Sequence, residues 1–163
     1  MTRDEAIAWF DSLPPATEAE MMGDWRGEEV RTGHPMEGLL AASRWHGKRF
    51  EGRDAVHPLV HDVPLWGKRS LNPALLPLDF ITKLPGRDTL LRATFPLLAP
   101  LFFTRRPRAR LRTLSFRGRA HAAMCYDAKP IHDVFARIDE GKVLGWMERK
   151  GDARPYFFTL TRL

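Results

Sequence analysis

The C-terminal third of the chain constrains the fold most strongly. It alternates apolar and polar side chains with a period of two, which is the pattern of half-buried β-strands. Short turn sequences at Asp139–Lys142 and Gly151-Asp152 separate the later segments, so neighbouring strands are expected to pair antiparallel. A change of frame between Leu111 and Leu114 predicts a β-bulge in the first segment. This region therefore predicts an antiparallel meander.

The rest of the chain adds further strands and a few helices. Arg3–Leu13 has apolar residues at helical spacing and ends at Pro14-Pro15, and Met36–His46 predicts a second helix. Short strand-like pieces are Gly23–Arg31, Lys48–Glu51, Val56–His61 and Trp66–Asn72. We expect one domain over residues 1–163: a mainly β, antiparallel up-and-down β-barrel of eight or nine strands. It would carry an N-terminal helical segment (1–22) and a helical or loop insertion (73–103).

Composition narrows the class of protein. With 163 residues and 44% hydrophobic side chains, the chain can bury a core, and the single Cys125 excludes an internal disulfide and a cysteine-built zinc site. The longest nearly unbroken apolar run, Ala93–Phe103, contains two prolines and is far shorter than the roughly 20 residues of a spanning helix. No secretion signal is visible at the N-terminus. We therefore expect a cytoplasmic protein with no metal and no cofactor.

The net charge of +6 is unevenly distributed. Eight arginines lie between Thr89 and Tyr126, with no Asp, Glu or Lys among them. Such a band suits an anionic partner, although the solvated face of a strand explains it equally well. Five of its arginines directly follow the apolar segment that ends at Phe103: Arg105, Arg106, Arg108, Arg110 and Arg112.

Apolar surface beside arginine suits a phospholipid or a bilayer surface, because guanidinium groups pair bidentately with phosphate. We expect these five arginines to contact an anionic head group or membrane, which would make the protein peripheral to the membrane. No helix-turn-helix, zinc-finger or RNA-recognition signature is present, so no nucleic-acid partner is expected. The sequence leaves the oligomeric state open.

The motif GDWRG at Gly23–Gly27 resembles the Gly-x-Trp-x-Gly signature of a bacterial family named for it, which also has a C-terminal domain of unknown function. Blocks expected of that family follow in order along nearly the whole chain, among them FDSLPP, TGHP, WHGKRF, LNPALLPL, TRRPRARLR, YDAKPIHDVF and VLGWM. This resemblance implies a fold but little chemistry.

The Gly-x-Trp element is also similar to the first strand of calycin barrels, which include lipocalins, fatty-acid-binding proteins and haem-binding nitrobindins. That resemblance implies that Trp25 plugs one end of the barrel and that Arg162 of the last strand lies across its indole. We interpret both residues as structural. Haem is disfavoured because Glu28-Glu29-Val30 replaces the glycine-rich continuation of the nitrobindin motif, and no histidine follows His132.

A barrel of about eight strands is either filled by its own side chains or leaves room for one small ligand. The candidates for the lining of such a cavity are His34, Lys48, Tyr126, Asp133, Phe135 and Trp146. Asp133 shares a strand face with Ile131 and Phe135, and a buried carboxylate must be paired or become neutral. Its expected partner is Lys48, His34 or a nearby arginine, in either a structural pair or a site.

No motif of a known catalytic class is present. Our first hypothesis is a non-enzymatic carrier of a hydrophobic or amphiphilic ligand, above all an anionic phospholipid or fatty acyl molecule. The alternative is an isomerase or hydrolase of a small apolar substrate, in which Asp133 acts with His34 or Lys48. Haem binding comes third.

Overall fold

The strands of the chain close into a barrel. A computed structural model describes the backbone of residues 1–163 and all side chains except those of Leu78 and Asp79. The described strands are β1 (Gly23–Val30), β2 (Trp45–Gly52), β3 (Ala55–Val63), β4 (Gly67–Ser70), β5 (Ala109–Phe116), β6 (Arg119–Tyr126), β7 (Ile131–Asp139), β8 (Lys142–Arg149) and β9 (Asp152–Arg162).

Eight of these strands form an antiparallel ring. The ring runs from β1 through β2, β3, β5, β6, β7, β8 and β9 back to β1, while β4 pairs only with β3 and extends the sheet at that point. Neighbours in the ring follow one another along the chain except where β9 pairs with β1 to close it and at the β3–β5 step, where β4 and the helical insertion intervene. The predicted mainly β, up-and-down barrel of eight or nine strands is therefore confirmed.

Helices cover one side and one end of the barrel. They are α1 (Arg3–Ser12), α2 (Leu39–Ala42), α3 (Leu78–Ile81) and α4 (Arg87–Leu98), with 3-10 turns at Ala19–Met21, Pro73–Leu75 and Ala99–Phe102. The helix predicted over Met36–His46 is reduced to α2, because Trp45 already begins β2. In the described part of the chain, none of the helices has the length and apolar character needed to cross a membrane.

Part of the sheet is apolar on both faces because α1 packs against its outer face. Phe10 of α1 is fully buried, with its ring 5.3 Å from that of Trp146 and 6.0 Å from that of Phe116. Leu114 packs in this outer cluster, whereas Leu111 points into the barrel. The pairing of β5 with β6 has no register shift, so the predicted bulge is wrong. The apparent change of frame comes from a strand with apolar side chains on both faces.

One end of the barrel is closed around Trp25. Its indole is 1% exposed, and Nε1 donates a hydrogen bond to the carbonyl oxygen of Met21 at 2.8 Å. The Arg162 guanidinium lies over the ring at 4.4 Å and donates to the backbone oxygens of Glu20 and Met22. A cation over an aromatic ring contributes roughly 0.5–2 kcal/mol. The placement expected for Trp25 and Arg162 is confirmed.

Buried side chains fill the half of the barrel next to Trp25: Met21, Phe50, Leu111, Met124, Phe135 and Leu160. The opposite end is covered instead by α2 and α4, which pack on each other. Arg87 at the start of α4 donates to the backbone oxygen of Glu37 at 3.1 Å and so ties α4 to the loop before α2. The insertion expected at 73–103 thus contains α3, α4 and two 3-10 turns and covers the open end.

Replacing Gly47 by alanine is expected to destabilise the barrel strongly. Gly47 in β2 has a φ of +152°, and a Cβ there would lie 1.9 Å from the backbone oxygen of Trp25 on β1. Because one strand would have to move, we expect Gly47→Ala to lower the free energy of unfolding by about 3 kcal/mol or more in urea titrations.

Gly52→Ala, in the same strand, is the matched control. A Cβ at Gly52 would meet its nearest neighbour only at 4.0 Å, so the cost should stay below about 1 kcal/mol. An equal loss of unfolding free energy in the two variants would contradict the close approach of the β1 and β2 backbones at Gly47.

Candidate ligand site in the barrel

A cavity of about 110 Å³ lies inside the barrel at the end opposite Trp25. Inward-pointing residues of β2, β3, β6, β7, β8 and β9 form its wall, and most of this wall is apolar. Leu39 and Leu40 of α2 and Leu91 and Phe95 of α4 line the cavity from above. The helices that cover the open end therefore also form one side of the cavity.

A lysine and an aspartate meet in this wall. Nζ of Lys48 on β2 lies 2.8 Å from Oδ2 of Asp133 on β7 and donates to the carbonyl oxygen of Pro58 at 3.2 Å. The two charged side chains are 3% and 1% exposed. Three aromatic rings surround the ammonium at 5.0 to 5.8 Å: Trp45, Tyr126 and Phe158. The carboxylate, a carbonyl and the ring faces thus all stabilise the buried ammonium.

The second carboxylate oxygen of Asp133, Oδ1, is buried and has no hydrogen-bond partner among the described residues. Burial raises the pKa of Asp133, and the adjacent Lys48 ammonium opposes that rise. Nε1 of Trp45 and Nδ1 of His61, two further lining residues, are likewise buried without a partner in the described part of the chain. An unpaired buried polar atom costs about 1–3 kcal/mol, so a ligand that pairs with these atoms would be stabilised.

The remaining buried polar groups of the wall are uncharged. Burial lowers the pKa of His61 to about 4, and Nε2 of its neutral ring lies 3.2 Å from Oγ of Ser43. Burial also raises the pKa of Tyr126 and of Tyr156, so both phenols keep their protons. The half-buried Lys129 donates to a backbone oxygen of the insertion. Since Lys48 and Asp133 neutralise each other, the fully buried wall has no net charge.

Three of the six residues predicted to line a cavity come together here: Lys48, Tyr126 and Asp133. Phe135 points inward but lies deeper, in the filled half, with its ring 5.8 Å from that of Phe50, so it does not line the cavity. Trp146 points outward onto Phe10, and its predicted place in the lining is wrong. Alternation failed at Trp146 for the reason that also produced the false bulge at Leu114: α1 buries the outer face of the sheet, so apolar side chains occupy both faces.

His34 stands behind the cavity wall. Its ring packs edge-on against that of Tyr156, with 5.3 Å between the centroids, and Nδ1 accepts a hydrogen bond from the N–H of Met36 at 3.1 Å. Burial lowers the pKa of His34. Of the partners considered for Asp133, the structure places Lys48 beside the carboxylate, and His34 does not contact the pair.

Glu29 is a positioning residue that the sequence analysis missed. Its carboxylate accepts hydrogen bonds from the Tyr156 hydroxyl at 2.8 Å and from the N–H groups of Gly38 and Leu40 at 3.0 and 3.1 Å. These bonds hold the start of α2 against the barrel wall. The available signal was alternation along β1, which puts Glu29 on the same inward face as Trp25.

The five arginines expected at an anionic surface divide into two groups. Two of them, on β5, have acidic partners: Arg110 pairs with Asp127 at 3.0 Å and Arg112 with Asp54 at 2.5 Å. The other three precede β5 and have no ion pair among the described side chains: Arg105, Arg106 and Arg108. This second group follows Phe103, whose β-bridge partner Leu71 lines the cavity. Uncompensated positive charge therefore lies close to the covered end of the barrel.

Among the described side chains, no group of three or more His, Cys, Asp or Glu could hold a metal ion.

Two family models match the chain on either side of the insertion. One, described as GXWXG protein, matches residues 8–63, and the other, described as a domain of unknown function (DUF4334), matches residues 107–162. The crystal structure of a protein from Thermomonospora curvata is 31% identical, has a TM-score of 0.75, and aligns over 100% of this chain and 88% of that chain. No curated protein matches significantly. The segment between the two models carries α3 and α4.

A double-mutant cycle tests the buried pair. We expect Lys48→Met alone to lower the free energy of unfolding by about 3–5 kcal/mol, because it leaves the Asp133 carboxylate buried without a counter-charge. Lys48→Met combined with Asp133→Leu removes both charges and should cost less than either single substitution. Additive costs in urea titrations would contradict the direct ion pair.

Proposed function

The chain belongs to the family that joins a GXWXG segment to a DUF4334 domain, and we propose that its barrel binds one small, neutral, mainly apolar molecule that carries a hydroxyl-like group. The observation that carries this proposal is the cavity wall, where the unpaired oxygen of Asp133 lies in a largely apolar surface. Apolar area with a few converging polar atoms is typical of small-molecule sites. A ligand that donates one hydrogen bond would satisfy this oxygen.

The cavity volume sets the size of the ligand. An apolar cavity of about 150 Å³ in another protein binds benzene, and the cavity here measures about 110 Å³. A single ring or a short branched chain matches this scale, whereas two phospholipid acyl chains exceed it several-fold. The volume therefore favours the small members of the hydrophobic and amphiphilic class expected from the sequence.

The charges of the wall favour a neutral ligand over a fatty acid. A ligand carboxylate beside Asp133 would bring two negative charges together in a site of low dielectric constant. A hydroxyl can instead donate to Oδ1 of Asp133 and accept from Nε1 of Trp45 or from the Lys48 ammonium. Both of its hydrogen-bonding roles are then satisfied inside the cavity.

An isomerase is the second candidate function, and the free oxygen of Asp133 favours it. A carboxylate whose pKa is raised by burial is suited to take a proton from a carbon next to a carbonyl. Lys48 would stabilise the oxygen of the enolate, and Asp133 would return the same proton to a different carbon, so no further reactant is needed. His34, which does not contact this pair, has no part in the step.

Turnover of an unsaturated ketone separates this candidate from simple binding. For a six-membered cyclic β,γ-unsaturated ketone, isomerisation predicts protein-dependent formation of the conjugated ketone, seen by its ultraviolet absorption. Asp133→Asn should abolish that reaction, with folding checked by circular dichroism. A rate equal to that of buffer alone would leave binding as the function.

Binding of phenol, benzene and benzoate tests the main proposal by titration followed in two-dimensional amide NMR spectra. We expect phenol to bind about tenfold more tightly than benzene, since its hydroxyl donates to a charged, desolvated acceptor. Benzoate should bind more weakly than phenol because of Asp133. Shifts should map to residues that line the cavity.

Leu76→Trp, which places a larger side chain in the lining, should abolish phenol binding, whereas Leu75→Trp is the control because Leu75 is 53% exposed and outside the lining. Failure of all three probes to bind would overturn the proposal. So would binding of benzene more tightly than phenol, which would indicate that Asp133 is inaccessible.

A further inference from the structure

We infer that the outer face of α4, together with the arginines that follow it, docks onto the surface of an anionic lipid bilayer. This inference goes beyond the proposed function, because the docking surface is external and does not depend on what occupies the cavity. It rests on an unpartnered apolar stripe, on the charge around it and on its position over the open end of the barrel.

Helix α4 is apolar on two opposite faces. Leu91 and Phe95 point into the cavity and account for the inner face. Leu90, Ala93 and Leu97 repeat at spacings of three and four residues and form a second stripe, in which the two leucines are 51% and 80% exposed. An apolar stripe on a helix normally packs against a neighbour, and none of the described side chains covers this outer stripe.

The exposed apolar surface continues beyond α4. Leu98 and Leu101 are 47% and 72% exposed, and the turn between β3 and β4 presents Leu65 fully to solvent. The half-exposed Trp66 of that turn packs its ring 5.7 Å from that of Phe103, which joins the turn to the end of the insertion. Adjoining exposed leucines and a tryptophan are typical of surfaces that enter the interface of a bilayer.

The positive charge of the segment around α4 favours a negatively charged partner. Residues 64–108 contain eight basic and two acidic residues, a net charge of +6, which equals that of the whole chain. Arg92, Arg105 and Arg106 are exposed and make no ion pair with any described side chain. Basic residues beside an apolar face attract anionic lipid, at about 1 kcal/mol per residue near the surface. A second copy of the chain would bring the same positive charge and be repelled.

The position of the surface connects docking to the cavity. Leu91 and Leu90 are neighbours on α4, with Leu91 in the cavity lining and Leu90 in the outer stripe. A bilayer that receives the outer stripe would therefore lie directly over the covered end of the barrel. Small apolar molecules concentrate in bilayers, so docking would bring this end next to a source of ligand.

Co-sedimentation with vesicles tests the inference on the full-length protein. The vesicles are phosphatidylcholine alone, or phosphatidylcholine with about one third phosphatidylglycerol. We expect binding to the anionic vesicles at an ionic strength of about 0.1 M and its loss at about 1 M, where the Debye length falls from about 10 Å to about 3 Å. Phosphatidylcholine alone should bind weakly.

Variants locate the surface. Arg105→Gln with Arg106→Gln should lower the partition coefficient about 30-fold, since two basic contacts are removed. Leu97→Ser should lower it about tenfold or more. Both changes affect exposed side chains, so unfolding curves should match the parent protein.

Matched controls lie at the closed end of the barrel. Arg26→Gln with Lys142→Gln removes the same charge next to Thr161, and Leu163→Ser replaces another exposed leucine. Neither should change vesicle binding by more than about twofold. Salt screens charges over about 10 Å at 0.1 M, and these residues lie at the end of the barrel opposite a bilayer that contacts α4.

Equal losses in the control and α4 variants would overturn the assignment of the surface. No binding to anionic vesicles at low salt would overturn the docking itself. A dimer in light scattering that Leu97→Ser dissociates, without vesicle binding, would show that a second copy covers the stripe instead. Phenol binding would be unaffected by any of these results.

Discussion

The desolvation of Lys48 and Asp133 is the physical constraint around which the interior of this barrel is organised. Each buried ion loses several kcal/mol of hydration, so the two charges must lie in contact and the ammonium must find further partners. It finds them in the Pro58 carbonyl and in three aromatic rings. The filled half of the barrel ends at this pair, and the cavity begins there.

Apolar–polar alternation along the strands decided which parts of the fold and the site could be predicted from the sequence. Alternation placed Asp133 on the inward face of β7, with Ile131 and Phe135, and the need to pair a buried carboxylate left Lys48, His34 and a nearby arginine as possible partners. It failed at Trp146 and Leu114, where α1 buries the outer face and both faces of the strand become apolar. His61 and Glu29 were missed because their roles depend on α2, and the folding of that short helix against the barrel is a long-range effect.

The covering helices link the two proposals. Helix α4 uses one apolar face to line the cavity and presents another to the surroundings, while the basic residues near it leave this end positively charged. The arginines on β5 that have acidic partners stabilise the barrel wall, and those before β5 remain available to phosphate groups. The barrel thus has a closed end built around Trp25 and a covered end that, in our proposal, docks onto the bilayer.

A high-resolution crystal structure of the phenol complex tests this account most directly. It predicts the phenol ring in the cavity, its hydroxyl oxygen about 3 Å from Oδ1 of Asp133, and the contact between Lys48 and Asp133 unchanged. Phenol bound elsewhere, or a cavity filled by the side chains of α4 with Asp133 turned away from it, would contradict the account.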